Sequence, residues 1–225
     1  MRSYYEAYDE RYRAIHNRGL RWASAEPTPI VLETLRRLKL PQEAGILELG
    51  CGEGRDALAV LGAGYDLLAT DCSPEAIAFC RRLAGDRADC FRQLDFLRDT
   101  LEERFAFIYA VAVLHMLVED EDRRGLCRFV YEHLRPGGCA LLCSMGDGET
   151  VFRTDPCEAF CLRERQHPSG PVRVAATTCR MVNWPVFEKE IRESGLVIAE
   201  KGITEALPDF DQLMYVLARR PEAAL

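Results

Sequence analysis

An apolar strand that breaks into three glycines at alternate positions constrains this chain more than any other feature. The run is Ile46-Leu-Glu-Leu-Gly-Cys-Gly-Glu-Gly54. Glycines at 50, 52 and 54 remove every Cβ on one side of a strand-to-helix turn, so the backbone can take φ > 0 and approach a ligand closely. Glu48, ahead of the first glycine, is complementary to an ammonium group. A nucleotide-like cofactor suits such a turn, and two kinds compete for it. The dinucleotide fingerprint G-x-G-x-x-G, counted from Gly50, wants its third glycine at 55, where the chain has Arg55. A cofactor with no pyrophosphate to seat on a helix N-terminus fits the tighter G-x-G-x-G spacing better.

From Gly45 the chain alternates strand and helix, the βαβα pattern of a parallel sheet. Strands are expected to Leu49, over Asp66 to Thr70, near Ala88 to Gln93, over Ala106 to Val111 and over Cys139 to Ser144. The helices between them are expected over Arg55 to Leu61, Pro74 to Leu83, around Arg98 to Glu103, and over Asp122 to Leu134. After Ser144 the rhythm breaks for nearly forty residues rich in charge, and long excursions inside α/β domains are usually functional. It resumes with a helix over Trp184 to Ser194 and strands over Leu196 to Gly202 and Leu213 to Ala218. Ahead of the core, Tyr4, Tyr8 and Tyr12 stand at i, i+4, i+8, which places three rings on one helical face. A second helix runs from about Pro29 to Leu40.

The run ELGCGEG resembles motif I of the class I S-adenosylmethionine (SAM)-dependent methyltransferases. Phe105-Ala-Phe-Ile-Tyr-Ala-Val-Ala-Val-Leu-His-Met-Leu117 is similar to the motif IV region of the small-molecule members, and Leu134-Arg-Pro-Gly-Gly138 matches the family's turn before strand five. The resemblance implies a seven-stranded, doubly wound, mostly parallel α/β sheet of order 3-2-1-4-5-7-6, its last strand antiparallel. The resemblance covers about residues 45–144 well and 183–219 by pattern only, and the expected layout is one methyltransferase domain over 1–225: an N-terminal helical cap (1–40), a SAM-binding core (41–144), a lid or substrate insertion (145–182) and a C-terminal part of the sheet (183–225). Ala106 and Met116 depart from the family's usual Asp and His. Motif IV also lacks the Asn/Asp-Pro-Pro-Tyr/Phe signature of adenine or glutamine methylation.

The same resemblance implies that SAM, leaving as S-adenosylhomocysteine (SAH), contacts Glu48, Gly50, Cys51, Gly52 and Gly54. Asp71, at the end of the second strand, is the expected ribose acid, with Cys72 beside the adenine edge. Asp71 also reads as a helix N-cap, although Ser73 followed by Pro74 is the better cap and frees Asp71 for a ligand. Asp95 and Phe96 would serve the adenine, and Ala110 and Val111 would offer backbone to the methionine part. His115, past the end of the fourth strand, reads either as a general base or as a residue that shapes the pocket. Tyr12, Trp22, His115 and Arg180 are expected around the substrate, while the tyrosines read equally as packing of one amphipathic helix. Arg163, Arg165 and Arg173 in the insertion are further cations for an anionic acceptor or for the protein's own acids.

Net charge and thiols bound the partners. The formal charge is −7, so a grip on nucleic-acid backbone, which needs clustered Lys and Arg, is not expected. No apolar segment approaches the ~18 residues of a membrane span. Ten cysteines in a chain of 225 residues read as reduced thiols of a cytoplasmic protein rather than as a secreted disulfide framework. Cys157, Cys161 and Cys179 lack a C-x-x-C pair or a nearby His at ligand spacing, and no metal is expected. The expectation is methyl transfer to a small-molecule acceptor, mainly by positioning. A protein or RNA methyltransferase, a nicotinamide-linked oxidoreductase and a non-catalytic SAM-binding module are the alternatives.

Overall fold

All four residues of the strand Ile46–Leu49 are buried, the pattern of a strand covered on both faces, and it takes the centre of the sheet. The computed structural model describes residues 2–205 and 212–222; residue 1, 206–211 and 223–225 of the expected domain lie outside the described residues. The helices are α1 (Ala7–His16), α2 (Pro29–Arg37), α3 (Arg55–Gly62), α4 (Pro74–Ala84), α5 (Asp120–His133) and α6 (Trp184–Glu193). The strands are β1 (Ile46–Leu49), β2 (Leu67–Asp71), β3 (Phe91–Gln93), β4 (Phe105–Val111), β5 (Leu134–Met145), β6 (Phe152–Arg153), β7 (Leu162–Arg165), β8 (Val172–Ala175), β9 (Arg180–Met181), β10 (Val197–Glu205) and β11 (Gln212–Arg219).

Seven strands form one sheet in the order β3-β2-β1-β4-β5-β11-β10. Pairings are parallel from β3 through β5, and β11 runs antiparallel to both β5 and β10. This is the expected 3-2-1-4-5-7-6 order, counted along the main-sheet strands. Strand order reverses between β1 and β4, which makes the carboxyl ends of those two strands the place where a ligand crevice opens. Alternation along the strands divides the core. Leu47, Leu49, Ile108 and Leu142 pack under Leu126, Phe129 and Val130 of α5 and Phe187 and Ile191 of α6. Ile46, Phe107, Tyr109 and Leu141 pack under Val31 and Leu35 of α2 and Ala57 and Val60 of α3.

Four local expectations are corrected. No helix covers Arg98 to Glu103: the Asp95 Oδ1 accepts from the Leu97 amide at 3.0 Å and the Asp99 Oδ2 from the Asp95 amide at 2.9 Å, local bonds that compete with a helix. The third strand is only Phe91–Gln93, because Gly85–Cys90 winds into a 3-10 turn. The fifth strand starts at Leu134 rather than at Cys139. Phe105 pairs with Leu134 and Phe107 with Cys139, so residues 135–138 bulge between successive pairs. At the N-terminus, Tyr4 falls in the 3-10 turn Tyr4–Glu6, and only Tyr8 and Tyr12 lie on α1. The insertion, where the strand–helix rhythm breaks, holds two small antiparallel sheets, β6 with β9 and β7 with β8.

Candidate active site

The glycine turn sits at the reversal point. Gly50 and Gly52 have φ of +70° and +52°, a region costly for residues with a Cβ. A Cβ on Gly50 would lie 2.5 Å from Val113 Cγ2, and one on Gly52 would lie 2.8 Å from the Tyr12 hydroxyl. The turn is pinned by Asp71 at the end of β2. Its Oδ2 accepts from the Gly52 amide and its Oδ1 from the Ser73 amide, both at 2.8 Å. Ser73 caps α4, its hydroxyl accepting from the Ala76 amide at 3.0 Å. Asp71 is therefore not left free by that cap, and burial raises its carboxyl above the usual range.

Two cavities open beside the turn. The smaller, about 50 Å³, is walled by Tyr5, Asp71, Cys72, Asp95, Phe96 and Val113 among others. The larger, about 680 Å³, takes in Glu48, Cys51, Glu53, Asp56, Val111, His115 and a wall from the insertion. Gly50, Tyr8, Tyr12 and Met116 border both. Tyr8 and Tyr12 thus divide one crevice into two chambers.

Acids crowd the larger chamber on the β1 and α3 side. Glu48 is buried and its Oε2 accepts from the Tyr109 hydroxyl at 2.9 Å. Asp56 accepts from the amide and hydroxyl of Thr28 at 2.5 and 2.9 Å. Burial raises both carboxyls above their ordinary range. The opposite wall is different. His115 lies on the 3-10 turn Leu114–Met116, and burial first, then the Arg123 and Arg11 cations, lower its imidazole to about 3. It is neutral at physiological pH.

Residues 47–140 match the family described as Methyltransferase domain. The matched residues run from β1 into β5, and the fold around them is shared with a methyltransferase of known structure. Among curated relatives, it is 36% identical over 106 residues to Hemagglutinin 1 of Eikenella corrodens, covering 45% of this chain and 34% of that protein. It is 31% identical over 98 residues to the Cypemycin N-terminal methyltransferase of Streptomyces sp, covering 43% of this chain and 40% of that one. The chain thus spans about a third to two fifths of the length of the curated relatives it matches. The crystal structure of the glycopeptide N-methyltransferase MtfA complexed with SAM is 23% identical, with a TM-score of 0.64, covering 89% of this chain and 96% of that one. That likeness carries the fold.

The expected site residues divide between the two chambers. Glu48, Gly50, Cys51, Gly52 and Val111 line the larger chamber, with Tyr12, Trp22 and His115; Asp71, Cys72, Asp95 and Phe96 line the smaller. Gly54 and Ala110 line neither. A Cβ on Gly54 would meet Cys80 Sγ at 2.9 Å, and Ala110 is buried in the α5-side core. Arg180 also turns away from both chambers: it pairs with Asp120 at 2.7 Å and donates to the Val118 carbonyl at 2.8 Å, tying the insertion to the start of α5. Of the other insertion arginines, Arg163 pairs with Glu158, while Arg165 borders the larger chamber. Cys157 and Cys161 are exposed, Cys179 lies near Met145, and the described residues hold no His, Cys, Asp and Glu cluster suited to a metal.

Sequence reasoning missed what α1 does. Its Asp9 accepts from the Ser73 hydroxyl at 2.7 Å and the Glu75 amide at 3.1 Å. Its Arg11 donates to the carbonyls of Ala175 and Ala176 and to the Thr177 hydroxyl. The helix is a strap between α4 and β8. Glu53, inside the glycine run, locks the strap's end: one oxygen lies 2.8 Å from His16 Nε2 and from the Trp22 amide, and the other accepts from the Ala23 amide at 2.8 Å. An acid between two glycines was the visible signal. Its three partners lie some thirty or more residues away in sequence, so nothing local identifies them.

Proposed function

We propose that this protein is a SAM-dependent methyltransferase that methylates a nitrogen of a small-molecule acceptor in the larger chamber. The observation that carries the reading is the division of that chamber. Buried carboxylates line the side formed by β1 and the glycine turn, and a neutral His115 lines the side toward the insertion. The residues suit the cofactor: the turn has no room for a Cβ at Gly50 or Gly52, Glu48 and Asp56 suit cationic groups, and Asp71 and Asp95 stand where a nucleoside would lie. When bound, SAM supplies a methyl group on a cationic sulfur.

The chain's own part is positioning. Tyr8 and Tyr12 offer ring faces between the chambers, which favour a cation near them. The insertion and Trp22 close the acceptor side, and a chamber of about 680 Å³ is in the range of small-molecule pockets. An imidazole lowered to about 3 is a poor general base at neutral pH. A neutral amine attacks through its own lone pair and needs no base before transfer, whereas an alcohol needs one. This favours nitrogen, and the names of two similar proteins, an N-terminal and a glycopeptide N-methyltransferase, agree with it. Among the described residues no helix is long and apolar enough to cross a membrane, and ten free cysteines favour the reducing cytoplasm.

The test is calorimetric titration with SAH and, as a control, NADH, followed by methyl transfer from SAM to a panel of matched small amines and alcohols. Saturable binding of SAH alone and turnover of amines are expected. Binding of NADH alone would overturn the cofactor assignment, and turnover of alcohols without amines would overturn the nitrogen assignment.

A further inference from the structure

The arginines of the insertion find acidic neighbours, with one exception. Arg153, Arg163 and Arg180 pair with Glu119, Glu158 and Asp120 at 2.7 to 3.1 Å, and Arg173 stands opposite Glu164 in the register of β7 and β8. Arg165, at the end of β7, has no carboxylate within ion-pair distance among the described residues, and its hydrogen bond there is a long one, from Nη2 to the Ala176 carbonyl at 3.4 Å. A second guanidinium converges on the same carbonyl. Arg11 of α1 is 6% exposed and donates from Nη2 to the Ala176 carbonyl at 2.6 Å. Its cation lies over the rings of Tyr8 and Trp22. Its Nη1 makes no hydrogen bond and it has no carboxylate partner among the described residues.

The charges of the larger chamber are therefore sorted. Its carboxyls, Glu48, Glu53 and Asp56, stand on β1, the glycine turn and α3, with Arg55 beside Asp56. Arg11 and Arg165 stand together on the insertion side, where His115 is neutral and His167 Nε2 donates to the Arg21 carbonyl at 2.7 Å. A buried cation with no counter-ion is costly, and two guanidiniums drawn to one carbonyl repel. Burial lowers the Arg11 guanidinium below its usual range, and Arg165 acts in the same direction. Thr177, whose hydroxyl accepts from Arg11, holds φ of +58°, an uncommon conformation for a β-branched residue and a kind of strain that gathers at ligand sites. A further cavity of about 340 Å³ shares Arg165, Ala176 and Thr177 with the chamber and takes no wall from the glycine turn.

We propose that Arg165 and Arg11 form a site for an anionic oxygen group, a carboxylate or a phosphate, carried by the acceptor, which makes the substrate class an amine that bears an oxyanion at its other end. This rests on the reading of SAM-dependent nitrogen methylation above. Guanidinium forks present parallel N–H donors that match such a group, and the anion supplies the negative charge that this side of the chamber lacks. The two arginines bind and orient the acceptor and take no part in the transfer itself.

The experiment is calorimetric titration of the SAH-saturated full chain with primary amines of graded length that end in a carboxylate, a phosphate or a neutral amide, with kcat/KM from SAM for the same panel and for matched alcohols. An anion-bearing amine should bind about tenfold to a hundredfold more tightly than its amide, and the tighter of the two anions names the group. Arg165→Gln, on an exposed strand, should remove most of that preference and Arg165→Lys should restore part of it. Arg11→Gln should act like Arg165→Gln, and the Arg165 variants carry the test should the strap fail to fold without Arg11. Amides that bind as well as anions, a panel in which nothing binds, or a preference that survives Arg165→Gln in full overturns the anion site alone. So does an SAH affinity that falls in Arg165→Gln by as much as the preference, which would give the guanidinium to the cofactor's own carboxylate. Turnover of anion-bearing alcohols in place of the amines overturns the nitrogen reading and supports the anion site. No SAH binding by the folded wild type overturns the cofactor reading, and this proposal with it.

Discussion

Replacing Glu53 by glutamine separates the strap from the glycine turn with almost no change in shape. The Glu53 carboxylate serves three groups at 2.8 Å, His16 Nε2 and the amides of Trp22 and Ala23, and its side chain is 1% exposed. Hydrogen bonds to a charged acceptor contribute ~1.5–3 kcal/mol each. Glutamine keeps one acceptor oxygen and turns an NH₂ group toward the remaining donor, so one bond is lost and two buried donors face each other. The expected cost is about 2–3 kcal/mol. In a chain of this length that lowers the thermal midpoint by about 4–12 °C. Because the strap carries Tyr8 and Tyr12 to the boundary of both chambers, SAH affinity should fall as well. Glu75→Gln is the control: it removes the other carboxylate at His16, one that is 25% exposed, and should cost less than about 1 kcal/mol. Urea unfolding followed by circular dichroism, with calorimetry for SAH, measures both variants. A Glu53→Gln protein as stable as Glu75→Gln, with wild-type SAH affinity, would refute the lock.

Asp71→Ala should weaken SAH by about tenfold to a hundredfold, the loss of ~1.5–3 kcal/mol of charge-assisted hydrogen bonding; unchanged affinity in a titration would remove β2 from the cofactor site. His115 is held neutral down to about 3, whereas an unfolded imidazole takes up a proton near 6.5. The unfolded chain thus binds more protons between these values, so this contribution to stability is present above about pH 6.5 and falls as the pH drops toward 3. Denaturation midpoints of His115→Asn across that range should lack this part of the acid loss, and an identical slope would show that His115 is not its source. Tyr5 donates to Asp95 Oδ2 at 2.9 Å, and both residues line the smaller chamber, so Tyr5→Phe should change SAH affinity in a calorimetric titration; unchanged affinity would remove this pair from the cofactor site.

The fold was legible where a local signal marks each boundary. Ser73-Pro74 gives the cap and first residue of α4, and the four buried residues of β1 read as a continuous apolar run broken by glycine. Alternation of such units then requires a parallel sheet. It was least legible where side chains compete with the backbone ladder. Asp95 and Asp99 bind amides within four residues of themselves, and this removed the helix expected beyond β3. The insertion shows a second limit. Its β8 is held from outside by Arg11, through the carbonyls of Ala175 and Ala176, so its hairpin depends on a contact that no local periodicity reports.

The site follows the same division, and Asp71 shows why. Residue type and position named it as an acid at the end of β2, and Ser73 took the helix cap as its sequence context indicated. The sequence did not reveal that the carboxylate would reach back across the turn to the Gly52 amide while also holding Ser73. One N–H donor occupies each oxygen, and the neighbouring Cys72 thiol is a third donor to the same carboxylate. An ionised carboxylate has about four lone-pair sites, so the backbone amides that fix the glycine turn set its orientation without filling it, and a diol that places both hydroxyls there displaces the weak thiol donor rather than the amides.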